Sequence, residues 1–298
     1  MIKKRNDTTI TLTDIETADA ITHGGVFHAD DVFATVLLHR LHPKWRFCRA
    51  AELPVPIPDK AIFYDIGGGE FDHHQANYSE TRQNGVKYAA FGLLWRAFGT
   101  DLLCKQGVSF PETAFALFDE GLVSSVDAHD NGQWEKTDLP SITVSHLMAD
   151  MNPLWNEEPD FDGAFLQAVE IATTIFDREL ARCIAMAAAK EEIYATTKRV
   201  EQGVLVLPKY IPWQKEWLSG SNTREPIRRV IYPSLRSGFC ISCVDRSENN
   251  LFPKSWAGLR DAELASATGA KSALFCHPGR FLCVAGSFED ARRIALHK

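Results

Sequence analysis

The sequence predicts an α/β protein, with helices covering both faces of a parallel sheet in an N-terminal domain and a smaller α/β domain behind it. Two observations carry this. Short apolar runs alternate with stretches of helical spacing as far as Lys198, the pattern of a sheet covered by helices. After Gly203 the pattern changes to closely spaced strand-like runs with shorter helices between them. The 298 residues, 45% hydrophobic and 24% charged, are enough to bury a sizeable core and to form two domains. The change at Glu201-Gln202-Gly203 places the boundary, giving an N-terminal domain over 1–200 and a C-terminal domain over 201–298.

Ala18 to His23 is a short strand that ends at a histidine. Val32, Phe33, Val36, Leu37 and Leu41 recur at helical spacing until Pro43 stops them. Trp45 to Ala50 is strand-like, and Lys60 to Asp65 is a compact apolar run, as expected of a strand buried on both faces. Gly67-Gly68-Gly69 then turns the chain. Helices are predicted over 86–98, 112–128, 142–151 and 161–198. In the second half, strands are predicted over 204–207, 229–232, 239–244, 273–276 and 281–285, and helices over 261–267 and 288–296.

The net charge is −7, which does not suggest a nucleic-acid binder with a long basic track. Its distribution is uneven: from Val200 onward 14 Lys and Arg face 9 Asp and Glu, a net +5, against −12 before. An acidic half joined to a basic half suits a metal-binding domain plus one that holds an anionic substrate. Seven cysteines, an odd number lying mostly in apolar runs, read as buried thiols of a reducing compartment. Cys240-Ile-Ser-Cys243 has metal-site spacing, but it lies in a strand-like stretch with no second pair, so two strand cysteines are expected. The basic N-terminus has no apolar segment behind it and acids enter early, so neither a secretory signal nor a transit peptide is expected. No apolar run reaches the roughly 18 residues of a membrane span. A cytoplasmic protein with no membrane partner is the expectation.

The chemistry concentrates in four runs. They are Thr22-His-Gly-Gly-Val-Phe-His-Ala-Asp-Asp31, Asp65-Ile-Gly-Gly68, Asp72-His73-His74 and Val126-Asp-Ala-His-Asp-Asn-Gly132. Imidazole mixed with carboxylate, without thiolate, is a ligand set for a hard or borderline divalent ion. So many ligands exceed the need of one ion and suit two sharing a bridging carboxylate, roughly 3.5–4 Å apart, the usual arrangement for splitting phosphoesters. His23 and His28 can converge on one ion, Asp30 can reach a neighbour, and Asp65, at the end of a central strand, can bridge. His73 and Asp127 would complete the second site. Near the C-terminus, His277 and Arg280 flank a Pro-Gly turn and are candidates to hold substrate phosphate, for which the arginine offers a planar fork.

In order and spacing these runs resemble the DHH phosphoesterase superfamily, most closely its melanocyte-proliferating-gene branch. The resemblance extends through Phe71–Gln75, Met151–Asn156, Pro212-Trp213-Gln214, Trp256–Asp261 and Phe275–Phe281. It implies a DHH-type parallel-sheet domain, two divalent ions with manganese first, and metal ligands His23, His28, Asp30, Asp65, His73 and Asp127. By the same resemblance His74 faces the substrate, Asp72 orients it, and Asp65, His74 and Asp72 form the catalytic group. His28 stands where most of the superfamily has Asp, which makes the first site richer in nitrogen and shifts it toward a later transition metal. Asp31 stands where this branch is expected to have Glu, and the link between Gly69 and Asp72 is short.

The activity implied is 3′–5′ exonuclease action on short or single-stranded RNA. The acidic total charge keeps open a phosphodiesterase or phosphatase for a small nucleotide or dinucleotide, and a non-catalytic metal-binding protein is the third reading. The partners expected are therefore single-stranded RNA or a short nucleotide, and the assembly considered is a homodimer. Trp213, Trp217, Tyr232, Phe239 and Trp256 could stack bases, although their spacing reads more readily as core.

Overall fold

The computed structural model describes residues 10–53, 60–76, 78–134, 141–197, 200–213 and 226–297. It divides into two compact units, Met1–Ala187 and Ala188–Lys298.

The first unit holds strands β1 (Thr11–Leu12), β2 (Ala20–His23), β3 (Arg46–Ala50) and β4 (Ile62–Phe63) in the order β1-β3-β2-β4, every pairing parallel. Parallel order requires crossovers, and α1 (Ala29–Leu41) supplies the one from β2 to β3. Ala20, Ile21 and Thr22 of β2 are all buried, so this inner strand is covered on both faces rather than alternating between core and solvent. Ala20 and Phe47 contribute to the main core, while Ile21, Cys48 and Ala50 form a smaller cluster with Ile15, Ala18 and Leu53. The remaining helices of this unit are α2 (Ala90–Lys105), α3 (Pro111–Phe118), α4 (Ser124–Asp130) and α5 (Val144–Ala149), followed by α6 (Phe161–Thr197).

α1 is buried along nearly its whole length, and so are its first acids, Asp30 and Asp31. A helix sunk this deep has no solvent to satisfy polar side chains. Thr35 resolves its need locally, bonding the Asp31 carbonyl at 2.8 Å and the Tyr64 hydroxyl at 2.6 Å. Phe33 stacks on Phe91 of α2 at 5.6 Å, which locks the two helices together.

Two local differences from the periodicity have physical causes. The helix predicted from Val86 starts at Ala90, because Lys87 makes a bridge with Thr81 and its N–H bonds the Gln133 side chain instead. The helix predicted over 112–128 is broken by a π-helical turn, Asp119–Val123, which starts α4 in a new register. Gly92 of α2 sits against α4 so closely that a Cβ there would lie 1.8 Å from Asp127 Oδ2. Only a residue without a side chain admits the Asp127 carboxylate at that point.

The second unit contains β5 (Val204–Val206), β6 (Arg229–Pro233), β7 (Phe239–Cys243), β8 (Ala273–Cys276) and β9 (Leu282–Ala285) in the order β5-β6-β7-β9-β8. β5 runs parallel to β6 and the other pairings are antiparallel. Helices α7 (Asp261–Thr268) and α8 (Phe288–Ala295) supply Leu264, Ala291 and Ile294 to its core. Cys240 and Cys243 both lie on β7, where a spacing of three turns their side chains to opposite faces. All seven cysteines are free. Trp256 is core, stacked on Phe252 at 5.8 Å, and Phe239 packs against the same cluster. Trp217 lies outside the described residues. Among the described residues no helix is long and apolar enough to cross a membrane.

Candidate metal centre

The ends of β2 and β4, the start of α1 and the end of α4 bring acids and imidazoles together. His23 closes β2, and its Nε2 lies 3.2 Å from Asp65 Oδ2 and 3.5 Å from Asp31 Oδ2. Asp65 comes two residues after β4 in a left-handed backbone conformation (φ 55°), which aspartate tolerates better than most residues. Its N–H bonds the Phe71 carbonyl at 2.9 Å, so the chain folds back and delivers Asp72-His73-His74 to the same carboxylate. His73 Nδ1 and His74 Nδ1 lie 3.4 and 3.2 Å from Asp65 Oδ1. Asp72 accepts from the Gly68 N–H at 2.7 Å and the His74 N–H at 2.9 Å, and lies 3.1 Å from His74 Nδ1. It thus ties the glycine turn to the triplet and orients His74.

The loop between β2 and α1 carries His28 and is held from two sides. Arg49, its side chain almost fully buried, donates to the Gly25 carbonyl at 2.6 Å and sits over the Phe165 ring. The Asn152 side chain bonds the Phe27 backbone twice, accepting at 3.0 Å and donating at 2.9 Å. Asp31 accepts from the His28 N–H at 2.9 Å and so sets the start of α1.

Among the described residues three overlapping groups could hold a metal ion: His23, His28 and Asp65; His28, Asp30 and Asp130; and Asp65 with Asp72, His73 and His74. Asp65 and His28 each belong to two of them, so a bridging position exists. Both oxygens of Asp30 are buried without a hydrogen-bond partner, and those of Asp65, equally buried, face the imidazoles of His23, His73 and His74. Two such carboxylates cost several kcal/mol unless something of opposite charge meets them. Burial, reinforced by the charges of Asp65, Asp130 and Asp31, pushes the Asp30 carboxyl well above the usual carboxylate range. Burial also raises Asp31 to about 7, against the pull of His23. Asp65 goes the other way: burial opposes its charge, but the His23 and His74 imidazoles beside it hold it at about 2. His74 is raised to about 9 by Asp65 in return. Crowded acids with unmet oxygens among imidazoles, and no thiolate, fit a divalent cation of the harder kind.

Asp127, expected as a ligand, stands apart from these groups: its Oδ2 pairs with Arg82 Nη1 at 2.7 Å and its Oδ1 accepts the Gly92 N–H at 3.1 Å. Arg82 is itself clamped by Asp119 through two 2.9 Å bonds. The acid that faces the centre is Asp130, whose Oδ2 lies 2.8 Å from His73 Nε2. Spacing could not separate the two, because residues three apart share a side of a helix. The sequence carries Asp130 in the same run, and nothing there tells that Arg82, 45 residues upstream of Asp127, claims the other acid. Asp31, read only as a departure, also stands at the centre, against His23.

A cavity of about 260 Å³ opens beside these groups, lined by His28, His74, His129, Asp130, Ser145 and Ala149 among others. In the second unit, His277 Nδ1 accepts the Gly279 N–H at 2.9 Å and its ring packs on Phe281. Arg280 donates to Glu248 at 2.7 Å and to the Phe252 carbonyl at 3.1 Å.

The fold and this centre define a class: an α/β protein with a buried aspartate–histidine cluster, at the ends of parallel strands, able to bind divalent metal. The family can be stated as well. The model of the MYG1 exonuclease family, described as an uncharacterised protein family (UPF0160), matches residues 19–298, and the chain belongs to that family. It is 28% identical to the human MYG1 exonuclease over 88% of this chain and 80% of the human one. Identity to the MYG1 protein of Saccharomyces cerevisiae is 26%, covering 92% of this chain and 93% of that one. For the MYG1 protein of Chlamydia muridarum it is 28%, over 90% and 92%. No solved structure is a significant match to the chain.

Proposed function

We propose that this chain is a metal-dependent phosphodiester hydrolase of the DHH type, acting as a 3′–5′ exonuclease on short or single-stranded RNA. The observation that carries the reading is the pair of buried carboxylates, Asp30 with neither oxygen hydrogen-bonded and Asp65 ringed by the imidazoles of His23, His73 and His74, beside an open cavity. The exonuclease name of the mammalian relatives supports it. Two divalent ions, manganese first, would supply an acidified water and offset the charge of the reacting phosphate.

The chain's own residues divide the work. His23, His28 and Asp65 would hold one ion, and Asp30, Asp65, His73 and Asp130 the other. Asp65, common to both, keeps its negative charge because His23 and His74 flank it. His74, more than half exposed and oriented by Asp72, is placed to donate a hydrogen bond to a phosphate oxygen. Trp155, 95% exposed and three residues past the Asn152 that anchors the His28 loop, offers a face on which a base can stack. The second unit is proposed to hold the substrate's phosphates, and the protein to work in the cytoplasm.

The test is a manganese-supplemented panel of bis-p-nitrophenyl phosphate, pyrophosphate, a dinucleotide and single-stranded RNA labelled at either end. Release of mononucleotides from the 3′ end supports the reading, and inertness toward every phosphodiester refutes it. The modest cavity and the net charge of −7 favour, as a second reading, cleavage of dinucleotides in preference to longer RNA. The same panel separates the two by the ratio of rates.

Two variants test the assignments. His28→Asp keeps activity and moves metal preference toward manganese, because carboxylate is a harder ligand than imidazole. An unchanged order of metal activation would remove His28 from the ligand set. Trp155→Ala raises KM for RNA by about 5- to 100-fold, the scale of roughly 1–3 kcal/mol for one stacked base. It leaves hydrolysis of bis-p-nitrophenyl phosphate unchanged, and an unaltered KM for RNA would end the stacking assignment.

A further inference from the structure

The second unit contains a cavity of about 290 Å³ whose walls include Arg228, Arg229, Lys254, Arg280, Phe252 and a single carboxylate, Glu248. Glu248 is engaged by both Arg280, at 2.7 Å, and Lys254, at 3.6 Å. Arg229 is the unusual member. It is 7% exposed, its guanidinium lies over the Phe252 ring at 4.8 Å, and among the described residues no carboxylate comes within 4.0 Å of it. Nη1 donates to the Asn250 side chain at 2.5 Å and to the Arg228 carbonyl at 3.1 Å, while Nε is buried with no partner. The nearby Asp245 accepts from the Ser247 N–H and influences Arg229 only at longer range.

A guanidinium taken out of water without a counter-charge is costly, and proteins pair such groups. Arg229 is held by Asn250, beside exposed Arg228, and both arginines line the cavity. Convergent arginines with planar forks, in excess over acid, match an anion that carries two charges and several oxygens rather than a single carboxylate. The space is several times that of a water, whose share of liquid volume is about 30 Å³, and leaves room for more than the anion itself.

We propose that this cavity is a binding site for a phosphate dianion, either free phosphate or the terminal phosphate of a mononucleotide, with Arg229 as its buried anchor. The inference deepens the proposal that the second unit holds phosphates and rests on that part of it, while binding read without turnover keeps its test apart from hydrolysis. The experiment is calorimetric titration of the full-length chain, carrying Asp65→Asn and kept in EDTA so that neither hydrolysis nor bound metal contributes. The titrants are inorganic phosphate, a 5′-mononucleotide and the corresponding nucleoside. Phosphate and mononucleotide are expected to bind and the nucleoside not. Tighter binding of the mononucleotide identifies the ester as ligand, and equal affinity identifies the free anion. Arg229→Gln should weaken binding at least tenfold. Should that buried change unfold the unit, the exposed pair Arg228→Ala with Lys254→Ala decides instead, with the same loss expected. No binding of either phosphate ligand, or affinity unchanged in the folded variants, overturns the site. Hydrolysis by the wild-type chain is scored separately, so failure of one proposal is distinguishable from failure of the other.

Discussion

Asp65→Asn abolishes metal-dependent hydrolysis while leaving the protein folded. The amide keeps the shape of the side chain in a position that is 3% exposed, so the packing around β4 is retained. What it removes is the charge that His23, His73 and His74 converge upon, at 3.2 to 3.4 Å. Among the described residues Asp65 alone joins the His23 side of the centre to the Asp-His-His side, so its loss disturbs both candidate ion positions. Activity with manganese should drop by at least a thousandfold, which corresponds to about 4 kcal/mol in the barrier. Metal content, measured on the same preparation, should drop with it. A variant within about tenfold of wild type, a change of ~1.4 kcal/mol, would show that Asp65 does not bridge.

The second expected result is a separation of two aspartates three residues apart. Asp130→Asn loses metal and activity with little change in stability, because Asp130 is partly exposed and, among the described residues, pairs only with His73. A loss of at least a hundredfold, about 2.7 kcal/mol, is expected. Asp127→Ala does the reverse. It leaves Arg82 with Asp119 alone in a buried setting, strips the Gly92 N–H of its acceptor and opens a void against α2. Breaking one side of a buried ion pair costs about 3–5 kcal/mol. Chemical denaturation should therefore show the early loss of the fold, with hydrolysis per folded molecule retained. Gly92→Ala, which drives a methyl into the same carboxylate, should resemble Asp127→Ala. If Asp127→Ala instead proved as stable as wild type and inactive, the exchange of roles between the two residues would be wrong.

The contrast shows where the sequence was sufficient. Order and type of elements were legible because apolar periodicity reports burial directly. β2 is buried almost throughout, the apolar residues of α1 recur at helical spacing, and the strands of the second unit fall where Gly and polar turns bound them. The ligand types were legible for a related reason: His23, His28, Asp30 and Asp65 lie at or close to the ends of strands and at a helix start, where an α/β sheet presents its site. Local spacing also carried Asp72 to His74, since Asp72 bonds within its own turn.

Contacts across long stretches of chain were decided by tertiary structure alone. Arg82 selects between Asp127 and Asp130 from 45 residues upstream, and the π turn at Asp119–Val123 sets the register from which it does so. Asn152 fixes the His28 loop across 125 residues. Arg229 appears in the sequence as one arginine of a strand, and only the sheet and the turn of Glu248–Asn250 show that it is buried with no carboxylate partner among the described residues. Periodicity records which side of an element meets the core. It holds no information on which distant charge arrives there, and in a buried site that charge determines whether an acid is a salt-bridge partner or a ligand.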